Sequence, residues 1–226
     1  MGPFWLTLGT AITILGLGLV SSSIFKVKIQ EFLPYIAVGI VIWTYISTVI
    51  TEGCTVFISQ VAIIHNVKLS YFMYVMIMIY KNIIILFHNM LAVVAVFLVC
   101  GQAIDFKILL FIPGFVLLIF NSFWVSVVFG IFATRYRDFA SIVGSIIMLA
   151  MFVTPIMWKP DMLEGKRKII ATLNPFAHMI SLVRDPLLGQ TPPLESYLII
   201  GIISIIGFLF SLWMYKKYIS RVVFWI

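Results

Sequence analysis

Charged residues are scarce in this sequence, making up 10% of its 226 residues, and only eight residues are Asp or Glu. Hydrophobic residues make up 63%, and the mean hydropathy of +1.17 is far above that of water-soluble domains. The composition excludes a soluble catalytic domain and predicts an integral membrane protein. Because a membrane-spanning helix needs about 20 apolar residues, the chain has room for roughly six such helices in a single transmembrane domain, residues 1–226.

Residues that bind metals or form disulfide bonds are also few, namely two cysteines and three histidines. Cys54 and Cys100 fall at opposite ends of two predicted spans, whereas a disulfide needs Cα atoms within about 7 Å. The histidines fall in separate segments without ligand spacing, so no metal site is predicted. Gly165-Lys166-Arg167 lacks the rest of a phosphate-binding loop, and no nucleophile elbow is present, so no cofactor or catalytic site is predicted in this chain.

Long apolar runs, each bounded by charge or proline, predict an all-α protein with six transmembrane helices. The first run is expected to stay as a span rather than be cleaved, because no basic segment precedes it and Ser21-Ser22-Ser23 is a poor cleavage site. Six spans place both termini on one side of the membrane. The predicted spans cover residues 4–24, 32–53, 71–100, 108–133, 139–158 and 197–215.

The distribution of lysine and arginine predicts which side holds the termini. Basic residues occur on both sides, but the short Arg135-Tyr136-Arg137 turn and the tail with Lys216, Lys217 and Arg221 count most. Both termini are therefore predicted to be cytoplasmic. The net charge of +7 suits contact with anionic membrane lipids and does not indicate a nucleic-acid partner.

The loop before the last span contains two apolar pieces that are too short to cross a bilayer. Ile169–Leu173 is the first, and Asn174-Pro175 begins the second, since Asn is a good N-cap and Pro suits the first helical position. Arg184-Asp185-Pro186 is the predicted stop. Non-spanning backbone enters the hydrocarbon only where protein or a water-filled pathway surrounds it. The region 160–190 therefore predicts two short re-entrant helices, with an interfacial hairpin as the alternative.

One face of the fifth span carries small, polar and bulky residues at helical spacing, which predicts either a helix interface or the lining of a pathway. The residues on this face are Ser141, Ser145, Met148, Phe152 and Pro155. Aromatic side chains are further candidates for lining such a pathway, although Trp and Tyr also gather at membrane interfaces in any protein. The aromatic candidates are Trp5, Tyr35, Trp43, Tyr45 and Trp158.

Polar residues interrupt the third span in two pairs at a spacing of seven, Lys81 with His88 and Asn82 with Asn89. Ionisable groups inside a membrane are candidate functional sites. A proton relay needs a carboxylate inside the membrane, and Glu52 falls at the end of the second span. Lys81 is therefore expected to extend toward the interface or to pair within the bundle.

Several short motifs occur in a specific order along nearly the whole chain. They are Gly2-Pro3-Phe4-Trp5-Leu6, Glu52-Gly53-Cys54, Arg135-Tyr136-Arg137-Asp138-Phe139, Phe152 to Trp158, Leu173-Asn174-Pro175-Phe176 and Asp185 to Gln190. In this order, the sequence resembles the membrane-spanning permeases of ABC exporters that move lipid-linked polysaccharides such as O-antigen or teichoic acid, in the ABC-2 permease superfamily. In that family an amphipathic interfacial helix usually precedes the Gly-Pro motif. The sequence starts where such a helix would end, which leaves the cytoplasmic access for the lipid head group open.

The resemblance implies a homodimer in the bacterial inner membrane, with two separate nucleotide-binding subunits that hold the ATP and Mg²⁺. It implies a lipid-linked glycan as substrate and a pathway along the first, second and fifth spans. A wide pathway is also more easily built between two chains than inside six packed helices. The residues expected to line it are Trp5, Tyr35, Trp43, Tyr45, Ser141, Ser145, Met148, Phe152 and Trp158.

The resemblance also implies an outer gate and a coupling site. The two short outer helices would close the pathway, with gate residues Pro155, Asn174, Pro175, Phe176 and Arg184. A short surface helix within residues 56–70 would dock into the ATPase and, with the 135–138 turn, couple nucleotide state to helix movement. The coupling residues are Gln60, His65, Lys68, Arg135, Tyr136, Arg137 and Asp138. A simple head-group anchor is the alternative for the charged turn.

Two other functions stay open on the sequence alone. One is an exporter of drugs or small molecules from the same superfamily, and the other is an intramembrane enzyme that modifies lipids. A polar cluster essential for turnover without any ATPase would favour the enzyme. If the chain is the permease of a polysaccharide exporter, it is not an enzyme on its own but part of an ATP-hydrolysing complex.

Overall fold

The computed structural model describes residues 2–66, 69–103, 105–162 and 168–225. Within these ranges the chain forms helices joined by short links, and it contains no β-strand. The prediction of an all-α protein is confirmed.

Six helices form the bulk of the described chain, and they alternate in direction. They are α1 (Gly2–Phe25), α2 (Ile29–Thr55), α4 (Tyr71–Cys100), α5 (Phe111–Arg135), α6 (Phe139–Val153) and α9 (Leu194–Trp225). Three shorter α-helices complete the set, namely α3 (Val61–Asn66), α7 (Lys168–Thr172) and α8 (Pro175–Leu187). Single 3₁₀ turns cover Ile58–Gln60, Phe106–Leu110 and Pro160–Met162.

Five helices in the described ranges are long and apolar enough to cross a membrane: α1, α2, α4, α5 with the turn before it, and α9. The helix α6 is apolar but has 15 residues, or about 22 Å, which is less than the ~30 Å hydrocarbon core. The sequence predicted a span over 139–158. The helix ends earlier because Thr154 precedes a proline and adopts an extended backbone, with φ −83° and ψ 137°.

The last helix is longer than predicted, since α9 runs for 32 residues to Trp225 whereas the predicted span ended at residue 215. Hydropathy falls at Lys216 and Lys217, which ends the apolar run. No proline or glycine follows, so the backbone stays helical for about three more turns.

The alternating helices give the bundle two ends. The terminal end holds the start of α1, the end of α9, the helix α3 and the α5–α6 turn, and there the Arg135 guanidinium lies 5.4 Å from the Trp225 ring centroid. The loop end holds the α1–α2 turn, the α4–α5 link and the segment with α7 and α8. At that end the Lys107 ammonium donates a hydrogen bond to the Gly189 carbonyl at 3.0 Å.

The central helix is α2, which packs against α1, α4, α5, α6 and α8. In its most apolar stretch 78% of the residues are buried, compared with 22–28% in the other candidate spans. Those other helices turn large apolar side chains outward, as a lipid-facing surface requires. The bundle is therefore organised around one enclosed helix.

Small residues let α2 and α5 approach closely near the terminal end. A Cβ atom on Gly53 would lie 3.0 Å from the Cα of Ser126, and one on Gly130 would lie 2.8 Å from the Phe57 ring. Such small residues are the usual means of close helix contact in membranes. Phe57, just after α2, is thereby held against α5.

The helix α8 lies inside the bundle, where it packs against α2, α5 and α9. Phe176, near its start, meets Trp43 edge-to-face with ring centroids 5.5 Å apart. Trp43 lies about 21 Å along α2 from Ile29 at 1.5 Å per residue. The start of α8 therefore reaches about the middle of the 27-residue α2.

Candidate functional site

A buried arginine holds α8 in place. Arg184 is only 4% exposed, and its Nη1 donates a hydrogen bond to the Pro155 carbonyl at 2.7 Å. Its guanidinium lies 3.8 Å from the centroid of the Tyr35 ring, and its Nε lies 3.7 Å from Asp185 Oδ1. A buried charge needs such partners, because an unpaired one costs several kcal/mol. Arg184 therefore connects α8 to α2 and to the segment after α6.

Tyr35 of α2 also holds the segment after α6 in place. Its hydroxyl is 3.1 Å from the Pro155 carbonyl and 3.2 Å from the Trp158 carbonyl, to which it donates. These carbonyls lie beyond the end of α6, so they have no partner within a helix. Together these groups form the Arg184 cluster, which consists of Tyr35, Pro155, Trp158, Arg184 and Asp185.

Asp185 is the anionic member of the Arg184 cluster, and the Ser181 hydroxyl donates to its Oδ2. Burial raises the pKa of the Asp185 carboxyl above its ordinary value, and the Arg184 guanidinium offsets only part of this rise. Arg184 is therefore the neighbouring charge that favours the ionised form of this carboxyl.

The sequence assigned Arg184 and Pro155 to an outer gate and Tyr35 and Trp158 to a pathway. The structure brings all four together. Arg184 was also part of a predicted helix stop, but α8 continues past it and ends at Leu187. The burial of Arg184 was hard to predict, because nothing near it in the sequence indicates that its charge is buried.

A polar cavity of about 430 Å³ lies beside the Arg184 cluster at the loop end. His178 is fixed at its wall, since one ring nitrogen is 2.8 Å from the Ser196 hydroxyl and the other is 2.8 Å from the Thr172 carbonyl. Lys159 lies 5.4 Å from the Tyr35 ring centroid. Such a lining suits water or hydroxyl-rich groups rather than acyl chains. Its other charged members are Glu31, Asp161 and Glu195.

The predicted start of α8 is confirmed. Asn174 is the N-cap, and its Oδ1 accepts a hydrogen bond from the Phe176 amide at 2.9 Å, with Pro175 at the first helical position. Its Nδ2 donates to the Thr154 hydroxyl at 2.9 Å. Asn174 therefore starts α8 and also ties that helix to the end of α6.

We expect Asn174→Ala to lower the free energy of unfolding by about 1 kcal/mol, because the cap is lost. For a chain of this size, this corresponds to a fall in melting temperature of roughly 2–4 °C, measured on detergent-purified protein. Asn174→Asp is the matched control, since it keeps the capping oxygen and loses only the bond to Thr154. Equal melting temperatures for the wild type and Asn174→Ala would contradict a capping role.

The predicted coupling segment is helical from Ile58 to Asn66, as a 3₁₀ turn followed by α3. Gln60 is half-buried at the terminal end. Lys68 and the side chain of His65 lie outside the described residues. Tyr136, Arg137 and Asp138 form an exposed turn at the same end.

The coupling segment and the 135–138 turn are both attached to α5. The turn directly follows Arg135, the last residue of α5, and Phe57 is held against Gly130 of the same helix. At its other end α5 lies against α8, where a Cβ on Gly114 would come within 2.8 Å of the Leu182 carbonyl carbon. One helix therefore contacts both predicted functional regions.

Lys81 forms an ion pair within the bundle, which was one of the two arrangements expected for this side chain. Its Nζ is 2.7 Å from Glu52 Oε1, and Asn82 Nδ2 donates to Glu52 Oε2, also at 2.7 Å. The two ion-pair side chains are 54% and 35% exposed, so the pair contributes little to stability. They line a cavity of about 600 Å³ together with Gln60 of the coupling segment. Sequence reasoning missed this neighbourhood.

The structure partly corrects the predicted face of the fifth span, which is α6. Ser141, Ser145, Met148 and Phe152 are exposed on one chain, so any packing they take part in is with lipid or another molecule. Pro155 does not share their face, because the helix ends at Val153 and Pro155 turns into the Arg184 cluster.

The aromatic candidates are placed differently from one another. Trp5 is 68% exposed and Trp158 is half-buried. Tyr35, Trp43 and Tyr45 are buried within the chain. In this conformation the side chains of Tyr35, Trp43 and Tyr45 pack in the interior of the bundle.

Sequence reasoning also missed a buried polar group between α5 and α9. Asn121 Nδ2 donates to the Ser204 hydroxyl at 2.7 Å, and Trp124 Nε1 donates to Asn121 Oδ1 at 2.9 Å. An asparagine within an apolar span is the signal that could have found it, since buried amides need partners.

These features define a multi-pass membrane protein with a short helix inserted beside a polar cavity. The sequence pattern of the ABC-2 type transporter family matches residues 3–188. The match covers most of the chain, so the chain belongs to the ABC-2 type transporter family. The family expected from the motifs is confirmed.

Two curated relatives from Klebsiella pneumoniae carry the name O-antigen export system permease protein RfbA. One is 37% identical over 70 residues, which is 31% of this chain and 27% of the relative. The other is 32% identical over 91 residues, or 40% of this chain and 34% of the relative. The aligned part therefore spans about a third of the length of these relatives.

Proposed function

We propose that this chain is the permease of an ATP-driven exporter that moves a lipid-linked polysaccharide of the O-antigen type across the bacterial inner membrane. The observation that carries the proposal is the position of α8, which reaches the middle of the bundle beside a polar cavity. A helix placed in this way closes one end of the molecule, and it can move without unfolding a membrane span. The family and the names of the relatives support the substrate class.

The proposed exporter contains two copies of this chain and two ATPase subunits, which bind the ATP and Mg²⁺. The terminal end faces the cytoplasm, in keeping with the basic residues of its short 135–137 turn and of the tail with Lys216, Lys217 and Arg221. The face of α6 with Ser141, Ser145, Met148 and Phe152 is exposed on the single chain and is available to line a pathway between copies. The short helices α7 and α8 are re-entrant from the outer side and form the gate.

Coupling runs through α5 in this proposal. The ATPases push on the coupling segment and on the 135–138 turn, both of which are attached to α5. Gly130 and Gly114 are about 24 Å apart along that helix, so a movement at the terminal end reaches Leu182 of α8. The Arg184 cluster then either holds α8 closed or releases it.

The first test is affinity purification of the chain from native membranes in mild detergent, followed by mass spectrometry and by transport in vesicles. A stoichiometric nucleotide-binding subunit and ATP-stimulated movement of a lipid-linked glycan are the expected results. ATP-stimulated transport of small molecules alone would replace the substrate class with that of a drug exporter. Lipid modification without a co-purifying ATPase would overturn the proposal in favour of an intramembrane enzyme.

Arg137 provides a direct test of the coupling site. We expect Arg137→Ala to reduce ATP-driven export several-fold while dimer assembly stays intact, because the side chain is exposed and makes no contact that stabilises the described fold. Export is measured in vesicles and assembly by native mass spectrometry. Lys216→Ala is the control, because it removes an equal charge at the same end from α9. Export equal to that of the control would remove Arg137 from the coupling site.

A further inference from the structure

The terminal end carries an open groove between α5, the start of α6 and the last turns of α9. Its cavity is about 620 Å³, and aromatic side chains form much of its wall. Two arginines, Arg135 and Arg221, lie at its rim. The aromatic members are Phe129, Phe132, Tyr136, Phe139, Phe210, Trp213, Tyr218 and Trp225.

The groove leads toward a second, almost wholly apolar cavity of about 330 Å³. Phe129 and Phe139 line both cavities, and their ring centroids lie 5.3 Å apart. The second cavity extends along α5 to Asn121, which is about 21 Å from Arg135. We call these two neighbouring cavities the slot, and the groove with Arg135 and Arg221 is its cationic end.

The arginines of the groove, Arg135 and Arg221, have no carboxylate partner among the residues that the structure describes. Arg135 instead lies over the Trp225 ring at 5.4 Å. Nearby, Arg137, Lys216 and Lys217 add positive charge, against the single carboxylate of Asp138 in the turn.

We propose that this slot binds an anionic phospholipid, with its phosphate between Arg135 and Arg221 and an acyl chain running past Phe129 and Phe139. Arginine suits a phosphate because its planar fork donates two parallel hydrogen bonds. An apolar cavity beside the hydrocarbon is filled by apolar chains rather than by water. Charge and shape therefore select a lipid with both parts, and a free phosphate or a neutral lipid supplies only one.

Arg135 thereby has a second role beside its place in the coupling turn. It lines the groove and holds a lipid there, whereas Arg137 of the same turn lies outside the lining of the groove. The site goes beyond the proposed function, and binding can be measured with no ATPase present.

The test is native mass spectrometry of the delipidated protein titrated with phosphatidylglycerol, and with phosphatidylethanolamine for comparison. We expect discrete binding of phosphatidylglycerol that falls about 25-fold in the double variant Arg135→Gln/Arg221→Gln, since one basic residue near an anionic head group is worth roughly fivefold. The control Arg137→Gln/Lys216→Gln also removes two positive charges at the terminal end, but from outside the groove. We expect phosphatidylglycerol binding to this control to fall less than threefold.

Ile146→Trp tests the acyl part without changing charge, because Ile146 lines the second cavity yet is 57% exposed and has room for a larger side chain. We expect it to weaken phosphatidylglycerol binding at least fivefold. Equal losses in both charge variants would overturn the site, as would competition by glycerophosphoglycerol at the concentration of the intact lipid. If phosphatidylglycerol binds only after Ile146→Trp has dissociated a dimer, then a second copy of the chain, and not a lipid, occupies the slot.

Discussion

Replacing Arg184 by methionine is expected to lower the free energy of unfolding by about 3–5 kcal/mol and to reduce export at least tenfold. Arg184 is 4% exposed, and its loss leaves the half-buried Asp185 carboxylate with the Ser181 hydroxyl as its side-chain hydrogen-bond donor in the described part of the chain. Removing one partner of a buried charged pair has a cost of this size. The expected fall in melting temperature is roughly 10 °C. Arg184→Lys should not restore the protein, because lysine cannot stack on Tyr35 and donate to Pro155 with a planar group.

Lys159→Met is the matched control for this prediction. Lys159 lies over the same Tyr35 ring, at 5.4 Å, but it is half-buried and reaches the polar cavity. We expect a loss of less than 1 kcal/mol. Adding Asp185→Asn to Arg184→Met should recover part of the stability, since it removes the unpaired charge. If Arg184→Met melts and exports like the control, then the Arg184 cluster does not hold α8.

Gly114→Ala is expected to abolish most export while leaving ATP hydrolysis in place. The added Cβ would come within 2.8 Å of the Leu182 carbonyl carbon, and this is backbone, which cannot rotate aside. The helix α8 must therefore move away from α5, at a cost of roughly 1–3 kcal/mol for overpacking. If α5 transmits movement to α8, separating the two helices uncouples the ATPase from the gate.

Gly201→Ala in α9 is the control, because a Cβ there meets no atom within 4 Å. Alanine is preferred over glycine in a helix by about 1 kcal/mol, so this variant should be slightly more stable than the wild type. The two substitutions therefore have opposite expected signs for the same chemical change. Thermal melting and the ratio of glycan exported to ATP hydrolysed are the two measurements. Normal coupling in Gly114→Ala would falsify the transmission route.

Much of the fold follows from sequence patterns because the patterns are local. Apolar runs predict where the helices lie and most of their approximate bounds, although five rather than six of them are long enough to cross a membrane in the described ranges. Asn174-Pro175 predicts the start of α8 to the residue. Two boundaries needed more than hydropathy. The backbone preference of Thr154 before Pro155 ended α6 early, and the absence of a helix breaker carried α9 past Lys216.

The candidate site was less predictable because its contacts join distant parts of the chain. Tyr35 and Arg184 meet only after α8 inserts between α2, α5 and α9, and no spacing rule links residues so far apart. The close approach of Gly114 to Leu182 is hidden for the same reason, since a glycine in an apolar span has many possible neighbours. By contrast, pairing of Lys81 was one of two outcomes expected from the cost of a lone charge inside a membrane, although its partner Glu52 was not predicted.

The helix α6 is shorter than the hydrocarbon layer. Its 15 residues cover ~22 Å of a layer that is ~30 Å thick. Beyond Val153 the backbone carbonyls have no helical partner, and a hydrocarbon layer offers no water to bond them. Tyr35 and Arg184 donate hydrogen bonds to the carbonyls of Pro155 and Trp158 instead. The Arg184 cluster therefore also allows the chain to leave its helix before that helix is long enough to cross a bilayer.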